Sequence, residues 1–190
     1  MLKQLVKLNR SYRRFDGSRA VTESELLDLI DLARLSPCAA NLQNLRFLPL
    51  WEQHHLDIIF PHLKWAGYLR YWDGPGPAER PGAYIVILSP ENTRQFHQVD
   101  VGIAAQSILL GATEQGLGGC MLASVDREAI SRDFDLPDDL YVSLVIALGK
   151  PAEKVVIEPV TDPDDIEYWR DDAGVHHVPK RSLDDILIRR

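Results

Sequence analysis

The chain reads as an α+β protein, and three observations carry that reading. A capped amphipathic helix opens at Thr22, an apolar run rich in β-branched residues spans 83–89, and a helix of small and apolar residues covers 100–115. Before these, Leu2 to Leu8 forms a short apolar-periodic helix that ends ahead of the Arg-rich turn Asn9 to Arg19. Thr22 and Glu25 stand in capping-box spacing, and Leu26, Leu29, Ile30 and Ala33 make one apolar face. That helix stops at Ser36-Pro37, because a proline disfavours helical geometry in the residue before it. Phe47 to Trp51 is a candidate strand and Ala83 to Ser89 a stronger one. Between them, Trp65 to Gly82 carries aromatics, glycines and prolines without a steady period, as a lid or binding loop would. Asp100 to Gln115 is apolar or small on nearly every side, so it is expected to be buried all round, in a core or across a subunit interface. Cys120 to Ala123 and Tyr141 to Leu148 follow as buried strands, with a short helix from Asp126 to Phe134 between them. The tail, Pro151 to Arg190, is long, charged and weakly periodic; such an arm is hard to stabilise unless it wraps something.

Bulk properties narrow the function. At 190 residues and 45% hydrophobic content, residues 1–190 have the size of one domain with enough apolar material for a core. The net charge of -7 argues against nucleic acid or an anionic membrane as partner and favours small molecules or other protein chains. Cys38 and Cys120 form no C-x-x-C unit, a usage that suits a reducing cytoplasm and suggests neither a disulfide scaffold nor a zinc site. Met1 to Arg10 holds no apolar signal region, so export is not expected.

In this acidic chain the sharpest local inversion of charge is Arg10-Ser11-Tyr12-Arg13-Arg14-Phe15. Guanidinium groups form paired hydrogen bonds to phosphate oxygens, and a serine hydroxyl adds a donor at the same anion. A solvated basic turn balancing carboxylates such as Asp16 explains the same residues. A second basic cluster, His176-His177-Val178-Pro179-Lys180-Arg181, favours the anion site if the fold brings the two together.

Arg10-Ser11-x-Arg13-x-Phe15 resembles the opening motif of the FMN-binding nitroreductase family, roughly R-R-S-x-R-x-F, with Asn9 in place of the first arginine. Ser36-Pro37-Cys38-Ala39-Ala40-Asn41-Leu42-Gln43-Asn44 is similar to that family's S-P-S-A-x-N-x-Q-P stretch, with Cys38 for serine and Asn44 for proline. Gly102-Ile103-Ala104-Ala105-Gln106 through Gly116-Leu117-Gly118-Gly119-Cys120-Met121 resembles its central helix and following strand. Ala147 to Pro151 and Pro179 to Leu183 resemble its closing pieces.

The resemblance implies a nitroreductase-like fold: a central, mostly antiparallel sheet flanked by helices, in a homodimer formed through the small-residue helix and an exchanged C-terminal arm. It implies that Arg10, Ser11 and Arg13 hold the phosphate and ribityl chain of FMN, to which Lys180 and Arg181 return. Asn41 and Gln43 would meet the ring or its side chain, partly from the partner subunit. Leu122, Ala123 and Ser124 would lie against the ring, with a backbone N–H near its N5 atom, a rigid donor where charge builds. Trp65, Tyr68 and Trp72 could stack with planar acceptors or serve as lid packing. The implied activity is transfer of hydride from NAD(P)H to flavin and then to a nitroaromatic or quinone, with no side chain needed as acid or base. Its rivals are a flavin dehalogenase or dehydrogenase and a flavin carrier without turnover.

Other chemistries fit less well. Gly116-Leu117-Gly118-Gly119 sits after a helix and before a strand, the reverse of a dinucleotide fingerprint, so a helix C-cap accounts for it. No G-x-S-x-G elbow occurs, and His97 near Asp100 is read as a surface or capping pair. His54-His55 and His176-His177 do not have the spacing of H-x-x-x-H, and adjacent histidines do not share a helix face, so no metal is expected. Cys120, in a buried strand, is read as a structural thiol.

Overall fold

The computed structural model describes residues 1–90, 97–162 and 164–189. Its elements run α1 (Leu2–Leu8), α2 (Glu23–Leu35), β1 (Arg46–Leu50), α3 (Gln53–Ile59), β2 (Ala83–Pro90), α4 (His97–Glu114), β3 (Gly118–Leu122), α5 (Arg127–Asp133), β4 (Leu140–Gly149), β5 (Val155–Pro159), β6 (Trp169–Arg170), β7 (His176–Lys180) and α6 (Leu183–Ile186). Thr22 caps α2 as a capping box: its hydroxyl accepts from the backbone of Glu25, whose carboxylate accepts from the Thr22 N–H. The helix ends at Leu35, as the Ser36-Pro37 pair requires.

The main sheet is antiparallel throughout, in the order β1-β2-β4-β3. Strand periodicity divides its core. Ala83, Ile85 and Ile87 face the α2 and α4 layer with Leu26, Leu29, Ala105 and Ile108, while Tyr84, Val86 and Leu88 face Phe15, Leu50, Ile59, Trp65, Cys120 and Ile130. With both faces covered, β2 reads in sequence as one continuous apolar run. Pro49, which has no N–H to give a ladder, lies on the edge strand β1.

Helix α4 starts at His97, three residues before the expected Asp100. His97 Nε2 lies 3.3 Å from the Ser143 hydroxyl, and the Asp100 carboxylate accepts from the Ala39 N–H at 2.8 Å instead of opening the helix. It ends as expected: Gly116 takes φ +75°, and the Leu117 N–H donates back to Ala112 O at 2.8 Å. Within one chain only part of the helix surface is buried. Val101, Ala104, Ala105, Ile108, Leu109, Gly111 and Ala112 are buried, whereas Gly102 and Gln106 are exposed and Val99 is 56% exposed.

The tail departs most from its sequence reading. Strands β5, β6 and β7 form a second sheet, in the order β5-β7-β6, with β5 and β7 parallel and β6 antiparallel to β7. Within it the ring of Trp169 stacks on His177 at 4.0 Å, and His176 is buried. Beyond it α6 has no buried residue. Among the described residues no helix is long and apolar enough to cross a membrane.

Candidate functional site

The Arg-Ser-x-Arg-x-Phe segment is tied down along its length. Ser11 bridges to Gly119 of β3, the Tyr12 N–H donates to Gly119 O at 3.0 Å, and Phe15, 1% exposed, bridges to Pro151. Gly119 must be glycine here, because a Cβ would sit 2.5 Å from the backbone oxygen of Ala147. Arg14 is spent on an ion pair with Glu79, which leaves Arg10 and Arg13 for the cleft.

A cleft of about 360 Å³ opens between α4, β3 and β7, lined by Asn9, Arg10, Ser11, Arg13, Gln106, Leu109, Met121, Tyr168, His176, Val178 and Lys180. The two basic clusters thus converge, and strand geometry is the reason. Alternate residues of a strand share a face, so His176, Val178 and Lys180 of β7 point to the cleft while His177 turns away to Glu158 and Asp171. Asn9, where the family pattern has arginine, also lines it, and its amide can donate to the same ligand.

Arg13 is 9% exposed and held from several sides. Its guanidinium lies 4.6 Å over the Tyr168 ring, and its Nη1 is 3.4 Å from Ser11 O and 3.2 Å from His176 Nε2. Since Arg13 can only donate, His176 Nε2 accepts and the ring is neutral. Burial first, and the Arg13 charge second, push His176 down to about 4.

This shift predicts an acid sensitivity with a definite sign. Between about pH 6.5 and 4 the unfolded chain takes up a proton on residue 176 that the folded chain refuses, so stability is complete above that window and falls as pH drops through it. The loss over the whole window should be about 3 kcal/mol by the usual conversion of a pKa shift, of which about 1 kcal/mol falls between pH 7.5 and 5.5. Urea unfolding at pH 7.5 and 5.5 measures it, and His176→Asn should flatten the difference; an unchanged difference contradicts the assignment.

The remaining expected contacts lie elsewhere on this chain. Asn41 and Gln43 are exposed and do not line the Arg13 cleft. They stand in a turn where Ala40, Asn41 and Gln43 all take left-handed φ near +50°, a strained local path pinned by the Asp100 carboxylate at Ala39. Leu122 is buried at the end of β3, while Ala123 and Ser124 are exposed in a shallow recess with Lys64 and Arg127. Lys180 lines the cleft; Arg181 is exposed and does not.

Trp65 is a correction. It is 8% exposed and packs near Phe60, and a Cβ at Gly74 would touch its ring carbon at 2.6 Å, so it belongs to the core and offers no open face to an acceptor. Tyr68 is 45% exposed, its ring edge-on to Tyr168 at 5.0 Å. Trp72 carries the Arg170 guanidinium 4.7 Å over its ring. Cys120 is 2% exposed and burial raises its thiol, consistent with an inert role.

His54 and His55 come together, contrary to the expectation from their spacing. His54 and His55 lie in the first turn of the short helix α3, where their ring centroids come within 3.8 Å, and with Glu52 they offer three ligand atoms within 4.8 Å of one another. Glu52 stands at the N-cap without its side chain capping the helix, which frees it to lean on the rings. The cluster is largely exposed and sits at the positive end of a helix, which opposes a cation.

Sequence reasoning missed Gln106, which lines the cleft from α4. The signal was present: it is the one long polar side chain between Val101 and Ala112.

Comparison with known proteins places this geometry. A family model described as the nitroreductase family matches residues 7–150. A Methanothermobacter thermautotrophicus protein named as an NADH dehydrogenase/NAD(P)H nitroreductase is 31% identical over 174 residues, spanning 87% of this chain and 86% of its own. An iodotyrosine deiodinase of Thermotoga neapolitana is 24% identical over 168 residues, spanning 80% of this chain and 89% of its own. Among solved structures, an FMN-dependent nitroreductase from Clostridium difficile R20291 shares the fold with a TM-score of 0.64 at 21% identity, over 86% of this chain and 93% of its own. With a family model matched over most of its length and a relative above 30% identity, the chain belongs to the nitroreductase family.

Proposed function

We propose that this chain is an FMN-dependent oxidoreductase, a homodimer that draws electrons from NAD(P)H and reduces a small planar acceptor. The observation that carries the reading is the meeting of Arg10, Ser11 and Arg13 with Lys180 in one cleft, from opposite ends of the sequence. The donor set fits a phosphate monoester: two guanidiniums, an ammonium, a hydroxyl and the Asn9 and Gln106 amides face one space, and the Nε of Arg10 is sealed from solvent without a partner among the described residues. Leu109 and Met121 supply apolar surface beside it.

When bound, FMN supplies the hydride chemistry that no side chain here can perform. The chain's share is to bind and orient. Arg10, Ser11, Arg13 and Lys180 would hold the phosphate, and the backbone at Leu122, Ala123 and Ser124 would offer a rigid donor to the ring. Asn41 and Gln43, with both donor and acceptor on each amide, would read the ring edge of a flavin held by the partner copy. Tyr68, exposed at the edge of the loop after α3, would meet the acceptor.

The uncovered face of α4 supports the dimer. Val99, Gly102 and Gln106 lie three and four residues apart, hence on one face, and Gln106 reaches the cleft. A partner on that face would close the cleft as it buries the helix.

The name of the Thermotoga relative points to a second outcome for the same flavin, reductive dehalogenation. Product analysis with a nitroaromatic and a halogenated phenol separates the two. The first test is the visible spectrum of the purified protein, where a bound flavin is expected; a colourless protein that takes up no added FMN contradicts the reading.

A further inference from the structure

Behind the cleft lies a carboxylate that the flavin contacts do not use. The Glu153 side chain is 1% exposed, and burying a charged carboxylate is costly unless it is paired and hydrogen-bonded. Glu153 is both. Its Oε1 accepts the backbone N–H of Arg13 at 2.5 Å and of Arg14 at 3.1 Å, and its Oε2 accepts Arg170 Nη2 at 2.8 Å. Two successive N–H groups turned to one oxygen make a backbone nest, here filled by the protein's own anion. The same stretch of chain binds the motif again, through the Ala152 N–H to Arg14 O at 2.9 Å.

We propose that Glu153 is the positioning residue that gives this site its preference for a phosphorylated flavin. By holding the Arg13 backbone it fixes the direction in which that guanidinium leaves the chain, with Tyr168 and His176 setting the far end. By pairing with Arg170 it keeps its own charge off Arg13, which stays available to an outside anion. Arg170 lies in turn over Trp72, so the brace runs from the phosphate cleft into the loop after α3. The inference rests on the reading of the cleft as a flavin-phosphate site.

Riboflavin, which is FMN without its phosphate, separates positioning from mere structure. Affinities of the full chain, freed of bound flavin, are measured for both by quenching of flavin fluorescence. In wild type, FMN should bind more tightly than riboflavin; equal binding overturns the cleft reading itself. Glu153→Ala should weaken FMN by about tenfold or more, the order expected for loss of a charged hydrogen bond, and leave riboflavin within about twofold. Glu153→Gln, whose amide oxygen still accepts both backbone N–H groups but whose NH2 cannot accept from Arg170, should recover part of the loss. Equal weakening of both flavins, or no change for FMN, overturns the proposal. Arg170→Gln gives an independent arm should Glu153→Ala not fold. It leaves the nest intact but frees the carboxylate to turn on Arg13, so FMN affinity should fall with riboflavin unchanged, and an unchanged FMN affinity again counts against positioning.

Discussion

Arg13→Ala is expected to weaken FMN retention by about 1.5–3 kcal/mol, the range for a hydrogen bond to a charged group, which is roughly ten- to more than a hundredfold in affinity. The loss has two sources. The guanidinium that would meet the phosphate disappears, and the packing it provides between Tyr168 and His176 goes with it. Lys is not an equivalent replacement, because an ammonium lacks the flat fork that lies on Tyr168 while reaching the anion. Arg13→Lys should therefore recover only part of the affinity. Equilibrium dialysis against FMN reads both variants, and wild-type affinity in Arg13→Ala would contradict the phosphate assignment. Arg181→Ala makes a useful contrast: that residue is exposed and outside the cleft of its own chain, so any loss there is expected to come from the partner's flavin or not at all.

The second large effect is expected at Gly102. Among the described residues a Cβ added there meets nothing within 4 Å, so their packing does not demand the missing side chain. Gly102→Trp should leave the protomer folded, since glycine is a poorer helix former than almost any replacement. If a second copy covers this face, the indole blocks its approach, and association should weaken by about 3 kcal/mol or more, the upper range for overpacking a close interface. Flavin should be lost in parallel, because Asn41 and Gln43 do not reach the cleft of their own chain. Sedimentation velocity, far-UV circular dichroism and flavin content follow the three consequences. A dimer of wild-type strength would place the interface elsewhere.

Much of this was legible in the sequence because it rests on local rules. The Thr22 capping box, the proline stop at Ser36-Pro37 and the glycine turn at Gly116 involve only neighbouring residues, and each forms as expected. The β-branched run of β2 is long enough to identify a strand without knowing its neighbours. The Arg10 to Phe15 segment was visible as a charge anomaly, although only the fold shows that Arg14 pairs with Glu79.

What was hidden depends on distant pairing. β5 and β7 are parallel strands of five residues each, joined through a charged stretch, and their pattern lacks the length to stand out. Glu153 looks like one more surface acid; its burial depends on Arg13, Arg14 and Arg170 closing over it. Trp65 belongs to a segment with no period, so nothing local marks it as core. The proximity of His54 and His55 escaped a rule for helix interiors because both lie in a first turn.

The most direct test of the central claim is anaerobic addition of NADH and then NADPH to the purified protein while its visible spectrum is recorded. The account predicts a yellow protein that bleaches with one or both nucleotides and regains its colour when a quinone or nitroaromatic is added. A yellow protein that neither nucleotide bleaches would contradict it and leave a flavin carrier, or an enzyme with another electron donor, in its place.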